Sequence, residues 1–306
     1  MRQEIREFLE ENKIFYLENE PLASYTTIKI GGPCDLLVFP KEKEVLVKLL
    51  EFLENTGTPF YILGGGSNLL VADEGFKGVV ISLKRLKGIE VLSEGKDEVV
   101  LKVKAGTGVN ELISLCLKKG FSGMEFLAGV PATIGGTVRM NAGAFGRSIS
   151  QVVKKVLLYH KGDLVYCEVS EEDWSYRRFK KEGVILEADL KLEKSEKEVV
   201  KRKVLEVLNK RRLTQPISKR TFGSVFKNPP CYYAGQLIEA CGLKGYKVGE
   251  AEISKKHANF IVNLGRAKAK EVLELMKLAQ KKVWEKFRVK LDPEVKFLGV
   301  KDEEIF

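Results

Sequence analysis

The sequence predicts an α+β protein that is built from more than one domain. Segments with helical spacing of apolar residues alternate with short apolar runs along all 306 residues. This length corresponds to about two domains at the usual domain size. Hydrophobic residues make up 44% of the chain and charged residues 31%, which is enough apolar material for a core. A disordered protein is excluded, because its apolar content would be too low to offset chain entropy.

The first half of the chain is expected to mix helices with strands. The spacing of apolar residues predicts helices over residues 2–12 and 41–56. Short apolar runs predict strands at residues 60–63 and 78–82, and strict alternation predicts a strand over residues 98–105.

The second half is expected to contain strands first and helices afterwards. Strands are predicted over residues 152–159, 164–169 and 183–192. The stretch 191–212 holds nine Lys or Arg and four Asp or Glu, and it is predicted to be a basic amphipathic helix with a solvated charged face. A last helix is predicted over residues 267–287, and a closing strand over residues 293–300.

Charge and cysteine usage narrow the class of protein. The net charge of +10 suits an anionic partner, although it does not distinguish nucleic acid, a nucleotide or a phosphate. The five cysteines form no CxxC pair and there are only two histidines, so neither a disulfide framework nor a metal site is expected. Reduced thiols in a cytosolic protein are the better interpretation. The charged N-terminus lacks the apolar run of a signal peptide, and no apolar stretch is long enough to span a membrane.

Three consecutive glycines lie between a predicted strand and a further apolar run. Residues 64–68 read GGGSN and directly follow the strand predicted at residues 60–63. Glycines let backbone amides approach a ligand closely, and consecutive amides that turn inward form an anion-binding nest. Ser67 and Asn68 add side-chain donors, so a diphosphate is the expected ligand. The alternative is a tight turn between strands, which a triple glycine alone would favour.

Two familiar phosphate-binding motifs do not fit this segment. A Walker loop ends in Gly-Lys-Ser or Gly-Lys-Thr, whereas Ser-Asn-Leu stands here. A dinucleotide-binding fingerprint would need a glycine at the position of Leu69.

A second segment, residues 123–146, is dominated by small residues over a long stretch. It is too apolar for an exposed loop and too rich in glycine for a plain helix. Close backbone approach to a large flat ligand explains this composition. The alternative is tight packing between sheets.

Seven short motifs occur along the chain in the same order as in a known protein family. Residues 25–32 read YTTIKIGG, residues 64–68 GGGSN, residues 128–131 AGVP, residues 141–144 NAGA, residues 176–177 YR, residues 223–229 GSVFKNP and residues 293–295 PEV. Together they resemble the UDP-N-acetylenolpyruvoylglucosamine reductase (MurB) family, over about residues 20 to 300. Residues 234–239 and 254–263 resemble the shorter, second type of that family. Two departures are small: Ala132 stands where glycine is common, and Arg139 occupies a variable position, where we expect a surface residue.

The resemblance implies a fold of three regions. A two-part FAD-binding region of the vanillyl-alcohol oxidase (PCMH) type would cover residues 1–83 and 84–195, and a C-terminal α+β substrate-binding domain residues 196–306. The terminal strand, about residues 293–306, would return to the FAD region. The residues implied to bind FAD are Gly64, Gly65, Gly66, Ser67, Asn68, Gly129, Val130, Pro131, Thr133, Ile134, Gly136, Asn141, Ala142 and Gly143.

The implied reaction reduces the enolpyruvyl group of UDP-N-acetylglucosamine enolpyruvate and yields UDP-N-acetylmuramate. NADPH reduces FAD, flavin N5 gives a hydride to the methylene carbon, and the neighbouring carbon is then protonated. Arg177 matches the family's carboxylate-binding arginine, whose planar fork suits the growing negative charge. Ser224 matches the proton donor, and Glu294 the catalytic glutamate. Without the resemblance, a surface arginine, a turn serine and an exposed strand residue would be the simpler interpretations.

The resemblance also implies the remaining partners. The residues expected to bind the substrate are Tyr176, Lys227, Asn228, Gln236, His257 and Asn259. No metal, nucleic acid or membrane partner is expected, and the enzyme would be a monomer in a bacterial cytoplasm. It would act in peptidoglycan precursor synthesis.

Two alternatives remain open at this point. An FAD oxidase of the same fold would turn over with oxygen alone, but it has no need for the GSVFKNP and PEV motifs. A basic nucleic-acid-binding protein rests only on the net charge and on the basic stretch 191–212, without an aromatic platform to support it.

Overall fold

The fold was analysed in a computed structural model that describes residues 2–305. Its contacts divide the chain into two compact units. The first unit comprises Met1–Leu17, Leu36–Gly65 and Gly78–Lys210, and the second Glu18–Asp35, Gly66–Lys77 and Arg211–Phe306. Both boundaries predicted from the sequence, at residues 83 and 195, therefore fall inside the first unit. Residues 1 and 306, the outer limits of the predicted regions, lie outside the described residues. The functional division into three regions stays a prediction.

The described residues form α-helices and β-strands in an alternating order. The helices are α1 (Arg2–Glu11), α2 (Lys43–Asn55), α3 (Val109–Lys119), α4 (Ile134–Arg139), α5 (Lys197–Thr214), α6 (Ala234–Ala240), α7 (Ala269–Phe287) and α8 (Asp302–Ile305). The first ten strands are β1 (Phe15–Pro21), β2 (Pro33–Phe39), β3 (Phe60–Leu63), β4 (Leu69–Val71), β5 (Phe76–Ser82), β6 (Ile89–Glu94), β7 (Glu98–Lys104), β8 (Phe121–Ser122), β9 (Gly143–Ala144) and β10 (Arg147–Ser148). The remaining strands are β11 (Val153–His160), β12 (Asp163–Glu168), β13 (Trp174–Ser175), β14 (Arg178–Phe179), β15 (Val184–Lys194), β16 (Lys247–Val248), β17 (Ala251–Ile253), β18 (Ile261–Asn263) and β19 (Lys296–Leu298).

The larger sheet of the first unit contains six strands. Neighbours follow the order β12-β11-β15-β7-β6, and β8 pairs with the C-terminal end of β15. All of these pairs are antiparallel. Val99, Leu101 and Val103 of β7 are buried while the residues between them are partly exposed. The alternation predicted for residues 98–105 is thus confirmed, because one face of this strand packs on the core.

A four-stranded sheet has the strand order β1-β2-β5-β3, and its strand β3 directly precedes the three glycines. β3 has the limits predicted from the sequence and pairs in parallel with β5, with Leu63 opposite Ser82. One face of α2 is buried in the hydrophobic core that also contains Val79 and Ile81 of β5. Its buried residues are Leu46, Leu49, Leu50 and Leu53. The chain therefore leaves a well-packed strand end directly into residues 64–68.

The second unit has its own core and a small sheet. β16, β17 and β18 form an antiparallel sheet, and α6 and α7 contribute buried residues to the same core. The closing strand predicted over residues 293–300 is the shorter β19, which pairs in parallel with β4. β4 directly follows the GGGSN residues, so the C-terminal PEV motif is brought to the end of that segment. No helix in the described part of the chain is both long and apolar enough to cross a membrane.

One prediction about an individual element is wrong. Residues 191–194 do not begin the basic helix, because they extend β15, where Lys191 and Leu192 pair with Val100 and Val99 of β7. The glycine-rich segment, which is too rich in glycine for a plain helix, contains the six-residue helix α4. Gly135 in α4 has a packing reason: a β-carbon there would lie 2.8 Å from the Ala105 β-carbon. For this glycine, tight packing is the correct interpretation.

The carboxylate of Asp73 caps α7 from a distant part of the second unit. It accepts hydrogen bonds from the backbone amides of Ala269 (2.8 Å) and Lys270 (3.2 Å), which have no partner within the helix. We predict that Asp73→Ala lowers the free energy of unfolding by about 1–2 kcal/mol, the usual range for a lost cap. Urea unfolding followed by circular dichroism measures this change. Glu74→Ala removes the same charge from an exposed neighbour and should change stability little; equal losses in both variants would contradict the capping role.

Candidate active site

The first two glycines of the GGGSN segment bring the two glycine-rich regions of the sequence together. A β-carbon on Gly64 would lie 2.6 Å from the Thr133 hydroxyl oxygen, and one on Gly65 would lie 2.6 Å from the Pro131 carbonyl oxygen. Any side chain at either position would therefore collide with the segment 131–133. Gly66 adopts a φ of +66°, in the left-handed region, and packs against the backbone of Tyr25.

Two side-chain polar atoms of the first unit are buried without hydrogen-bond partners among the described residues, and one of them, the Thr133 hydroxyl, lies against Gly64. The hydroxyl of Thr133 and the amide oxygen of Asn141 form no hydrogen bond within the described residues, although Thr133 is only 5% exposed and Asn141 8%. Among the loop backbone hydrogen bonds of residues 2–305, none uses the amides of Gly65, Gly66 or Ser67 as donors. Buried polar groups normally have partners. The Thr133 hydroxyl and the Asn141 amide oxygen are therefore available to a polar ligand.

A two-residue hairpin loop carries Tyr176 and Arg177. β13 and β14 pair with Trp174 opposite Phe179, and Arg177 has a φ of +60°. This backbone conformation is uncommon for a residue with a side chain and is enriched at functional sites. The guanidinium donates from Nη1 to the Gly143 carbonyl at 2.9 Å. The Tyr176 side chain is 53% exposed beside the Arg177 guanidinium, which lies 5.2 Å from the ring centre.

The small-residue segment therefore contacts the hairpin at several points. Asn141 donates from Nδ2 to the Ser175 carbonyl at 3.0 Å, two residues from the Gly143 contact. Of the other residues predicted for the cofactor, Ile134 is fully buried in the core, Gly129 is exposed, and Val130, Gly136 and Ala142 are half-buried. The structure thus places Gly64 and Gly65 against residues 131–133, and residues 141–143, a few positions later in the chain, against the Arg177 hairpin.

In the second unit, the backbone brings Ser224, Glu294 and Asn68 together. Ser224 forms an antiparallel bridge with Phe260, and the Glu294 amide donates to the Val225 carbonyl at 2.8 Å. The Asn68 side chain donates to the Glu294 carbonyl at 3.2 Å. The GSVFKNP, PEV and GGGSN motifs, which are far apart in the sequence, are therefore neighbours in the fold.

Asn259 holds this arrangement in place. Its side chain is 3% exposed, accepts from the Phe226 amide at 2.9 Å and donates to the Phe226 carbonyl at 2.8 Å. The Asn259 carbonyl accepts from the Val225 amide at 2.9 Å. Both polar ends of this side chain bind the backbone that follows Ser224, and its substrate-binding role stays a prediction.

The other predicted substrate residues lie around the same backbone. Lys227 is half-buried, and its amide donates to the Asp292 carbonyl at 2.9 Å. The Asn228 side chain accepts from the Ala234 amide at 3.0 Å and so supports the start of α6, on which Gln236 is exposed. Lys227 and Gln236 can therefore contact a ligand, whereas one end of Asn228 is structural.

The surroundings of His257 favour the neutral form of its imidazole. Burial, and then repulsion from Lys244, lowers the pKa of this imidazole below its ordinary value near 6.5. Nδ1 accepts a hydrogen bond from the Asn259 amide at 3.2 Å, so the proton of the neutral ring resides on Nε2. His257 can therefore present one N–H donor to a ligand without a charge.

Thr27 was not assigned to the site from the sequence. Its amide donates to the Gly66 carbonyl at 3.0 Å, and its hydroxyl donates to the Thr221 carbonyl at 2.7 Å. It thereby ties the third glycine to the segment that leads to Ser224. The signal was available, because Thr27 lies in the YTTIKIGG motif, but a threonine carries no chemistry that marks it as a connector.

Known proteins resemble this chain over nearly its whole length. UDP-N-acetylenolpyruvoylglucosamine reductase of Bacillus subtilis is 41% identical over 304 residues, 98% of this chain and 99% of its own length. The protein of that name from Caldanaerobacter subterraneus is 40% identical over 301 residues, 97% of each chain. The chain belongs to the UDP-N-acetylenolpyruvoylglucosamine reductase family.

Family models and a solved structure agree with this membership. Residues 215–298 match the model of the UDP-N-acetylenolpyruvoylglucosamine reductase C-terminal domain, and residues 34–166 match the model of an FAD-binding domain. The crystal structure of UDP-N-acetylenolpyruvylglucosamine reductase (MurB) from Thermus caldophilus superposes with a TM-score of 0.78 at 35% identity. It covers 93% of this chain and 98% of its own. The predicted α+β fold of the FAD-binding and MurB type is confirmed.

We predict that Asn259→Ala lowers the free energy of unfolding of this reductase-family chain by about 2–4 kcal/mol, because an amide and a carbonyl of Phe226 lose their partners in a buried place. Thermal or urea unfolding measures the loss. Gln236→Ala is the control, since this side chain is exposed and its removal should change stability by less than about 0.5 kcal/mol. Similar stability of the two variants would contradict the positioning role of Asn259.

We also predict that the free energy of unfolding falls as the pH decreases below about 6.5, in part because of His257. The unfolded chain takes up the proton near the ordinary pKa, whereas the folded chain takes it up only at lower pH. The stabilisation is therefore complete above pH 6.5 and is lost on acidification. His257→Asn, which keeps an acceptor near the position of Nδ1, should flatten this decrease in urea titrations at several pH values. His160→Asn controls for the loss of a histidine, and an unchanged slope in His257→Asn would contradict the prediction.

Proposed function

We propose that this protein is the NADPH-dependent, FAD-containing reductase that converts UDP-N-acetylglucosamine enolpyruvate to UDP-N-acetylmuramate in peptidoglycan precursor synthesis. The observation that carries the proposal is 40–42% identity to reductases of that name over nearly the full length of the chain. The site supports it, because each catalytic residue expected from the family motifs lies among other motif residues. We further propose that the enzyme acts as a monomer in the cytoplasm.

Residues in and near the glycine segments fit FAD. The amides of Gly65, Gly66 and Ser67 offer consecutive donors for its diphosphate, and the buried hydroxyl of Thr133 and amide oxygen of Asn141 lack partners among the described residues. When bound, FAD would supply the hydride chemistry that links NADPH to the enolpyruvyl group. The chain itself must position the substrate, stabilise the charge that develops and deliver a proton.

Arg177 is proposed to hold the enolpyruvyl carboxylate. Hydride addition to the methylene carbon leaves negative charge that spreads onto this carboxylate, so a fixed cation stabilises the transition state more than the ground state. The bond from Arg177 Nη1 to the Gly143 carbonyl fixes the direction of the guanidinium. A planar fork with five N–H donors can serve this carbonyl and a carboxylate at the same time.

Ser224 is proposed to give the proton to the neighbouring carbon. A serine hydroxyl is a weak acid, and it suffices only where a strongly basic carbanion forms in a site that excludes water. The backbone bonds of Val225 and Phe226 to Glu294 and Asn259 hold the serine at a fixed place. Glu294 would act beside it, while Tyr176, Lys227, Gln236 and the neutral His257 would bind the remainder of the substrate.

A visible absorption spectrum of the purified protein, recorded before and after anaerobic NADPH, tests the proposal. A flavin band that bleaches with NADPH and returns when the enolpyruvyl substrate is added under nitrogen is the expected result. A protein that stays colourless after incubation with FAD would overturn it. A reduced band that returns only with oxygen would instead support the oxidase alternative, and RNA binding by a flavin-free protein the nucleic-acid alternative.

We predict that Ser224→Ala leaves flavin reduction by NADPH nearly unchanged but slows reoxidation by the enolpyruvyl substrate by about 10²–10⁴, the usual contribution of a general acid. Stopped-flow absorbance separates the two half-reactions. Ser218→Ala, at an exposed serine of the same unit, should leave both rates unchanged. Equal losses in both half-reactions of Ser224→Ala would be incompatible with a proton-donor role.

A further inference from the structure

Arg139 is the feature that neither the family motifs nor the proposed chemistry explains. It ends α4 and was expected on the surface, yet it is half-buried and its guanidinium donates to three backbone carbonyls. Nη1 donates to the carbonyls of Lys181 (2.7 Å) and Phe179 (3.4 Å), and Nη2 donates to the carbonyl of Gly183. The guanidinium carbon also lies 5.7 Å from the centre of the Phe179 ring.

These three carbonyls belong to the chain that leaves the Arg177 hairpin. Phe179 ends β14, and residues 180–183 connect it to β15. Alternate carbonyls, at residues 179, 181 and 183, point to one guanidinium. A planar fork with five N–H donors can serve several acceptors at once, whereas a lysine ammonium is a point charge on a flexible stem. The arginine therefore closes a connection that contains no regular secondary structure.

Residues 141–143, which follow Arg139 closely in the chain, also contact the hairpin of β13 and β14. Asn141 donates to the Ser175 carbonyl at 3.0 Å, and the Gly143 carbonyl accepts from Arg177 at 2.9 Å. Arg139, Asn141 and Gly143 thus contact, in turn, the chain after the hairpin, the chain before its loop, and the loop arginine itself. Alternate residues of one segment set the position of the hairpin from three directions.

We infer that Arg139 is a positioning residue that fixes the hairpin on which Arg177 sits and thereby aims the Arg177 guanidinium. The inference rests on the proposed function, in which Arg177 holds the substrate carboxylate. Loss of the carbonyl clamp lets the connection 180–183 loosen, and a displacement of about 1 Å at a catalytic group can cost about 10²-fold in rate. Arg139 touches neither the substrate nor the reacting atoms in this scheme.

Tryptophan fluorescence tests whether the hydrogen bonds of Arg139 hold the hairpin, and it needs no enzymatic turnover. Trp174 lies on β13 and packs against Phe179 with the ring centres 4.6 Å apart. The chain has two tryptophans, so Trp284→Phe leaves Trp174 as the reporter. In this background Arg139→Met should increase the quenching of Trp174 by acrylamide and shift its emission to longer wavelength. Arg178→Met, an exposed arginine on the same hairpin, should leave both unchanged.

Half-reaction kinetics on the flavin-loaded enzyme test the consequence for Arg177. Arg139→Met should slow flavin reoxidation by the enolpyruvyl substrate by about 10- to 100-fold while reduction by NADPH stays within about twofold. Arg178→Met should leave both half-reactions at the parental rates. In an Arg177→Met background, Arg139→Met should add little further loss, because residues that act as a unit are not additive.

Several outcomes would overturn the inference. The first is a reoxidation rate of the Arg139→Met/Arg177→Met double variant that equals the product of the two single losses. The second is equal slowing of both half-reactions in Arg139→Met. The third is acrylamide quenching of Trp174 that does not differ between Arg139→Met and Arg178→Met. If Arg139→Met does not fold, Arg139→Lys replaces it, since lysine keeps the charge but not the fork. A parental enzyme that is not reoxidised by the substrate would refute the proposed function instead, and the Trp174 measurement would still test the clamp.

Discussion

Close approach of two backbone segments at Gly64 and Gly65 is the constraint on which the candidate site of the first unit depends. Side chains there would overlap Thr133 and the Pro131 carbonyl. Once the segment 131–133 is fixed against the end of β3, α4 follows directly, and Gly135 lets it pack on Ala105. The residues after α4 then reach the Arg177 hairpin through side-chain and backbone bonds. A single tight contact thus determines the position of a residue more than a hundred positions later.

In the second unit, hydrogen bonds rather than close backbone packing hold the candidate residues in place. Its candidate residues lie on short bridges, not on long strands: Ser224 opposite Phe260, and Phe226 opposite Pro293. Short bridges leave backbone groups without ladder partners, and the buried side chain of Asn259 supplies the missing bonds to Phe226. Asn68 performs a similar task for Glu294. Amide side chains therefore provide the bonds that regular secondary structure provides elsewhere in the fold.

The sequence predicts elements well where local pattern and burial coincide. β3 is found at its predicted limits and the alternation of β7 is confirmed, because an apolar run bounded by glycine or proline, and a period of two, are typical of strands that pack on a core. The start of α5 was misplaced because pairing with β7 keeps residues 191–194 extended despite their charged, helix-like composition. The motifs indicated which regions form the site, but not which side chains in them face a ligand. The partners of Asn259 and Arg139 could not be predicted for that reason, since they are backbone groups that carry no sequence signal.

The glycine-rich segments contribute to the candidate site in a different way from the one that the sequence predicts. The sequence predicts that glycine lets a ligand approach the backbone, yet the atoms that lie closest to Gly64, Gly65 and Gly135 belong to the protein itself. The sign of a ligand is instead a pair of buried polar groups of the first unit that lack partners among the described residues, the Thr133 hydroxyl and the Asn141 amide oxygen. Glycine permits the assembly of the cradle, whereas unsatisfied donors and acceptors identify what the cradle can hold.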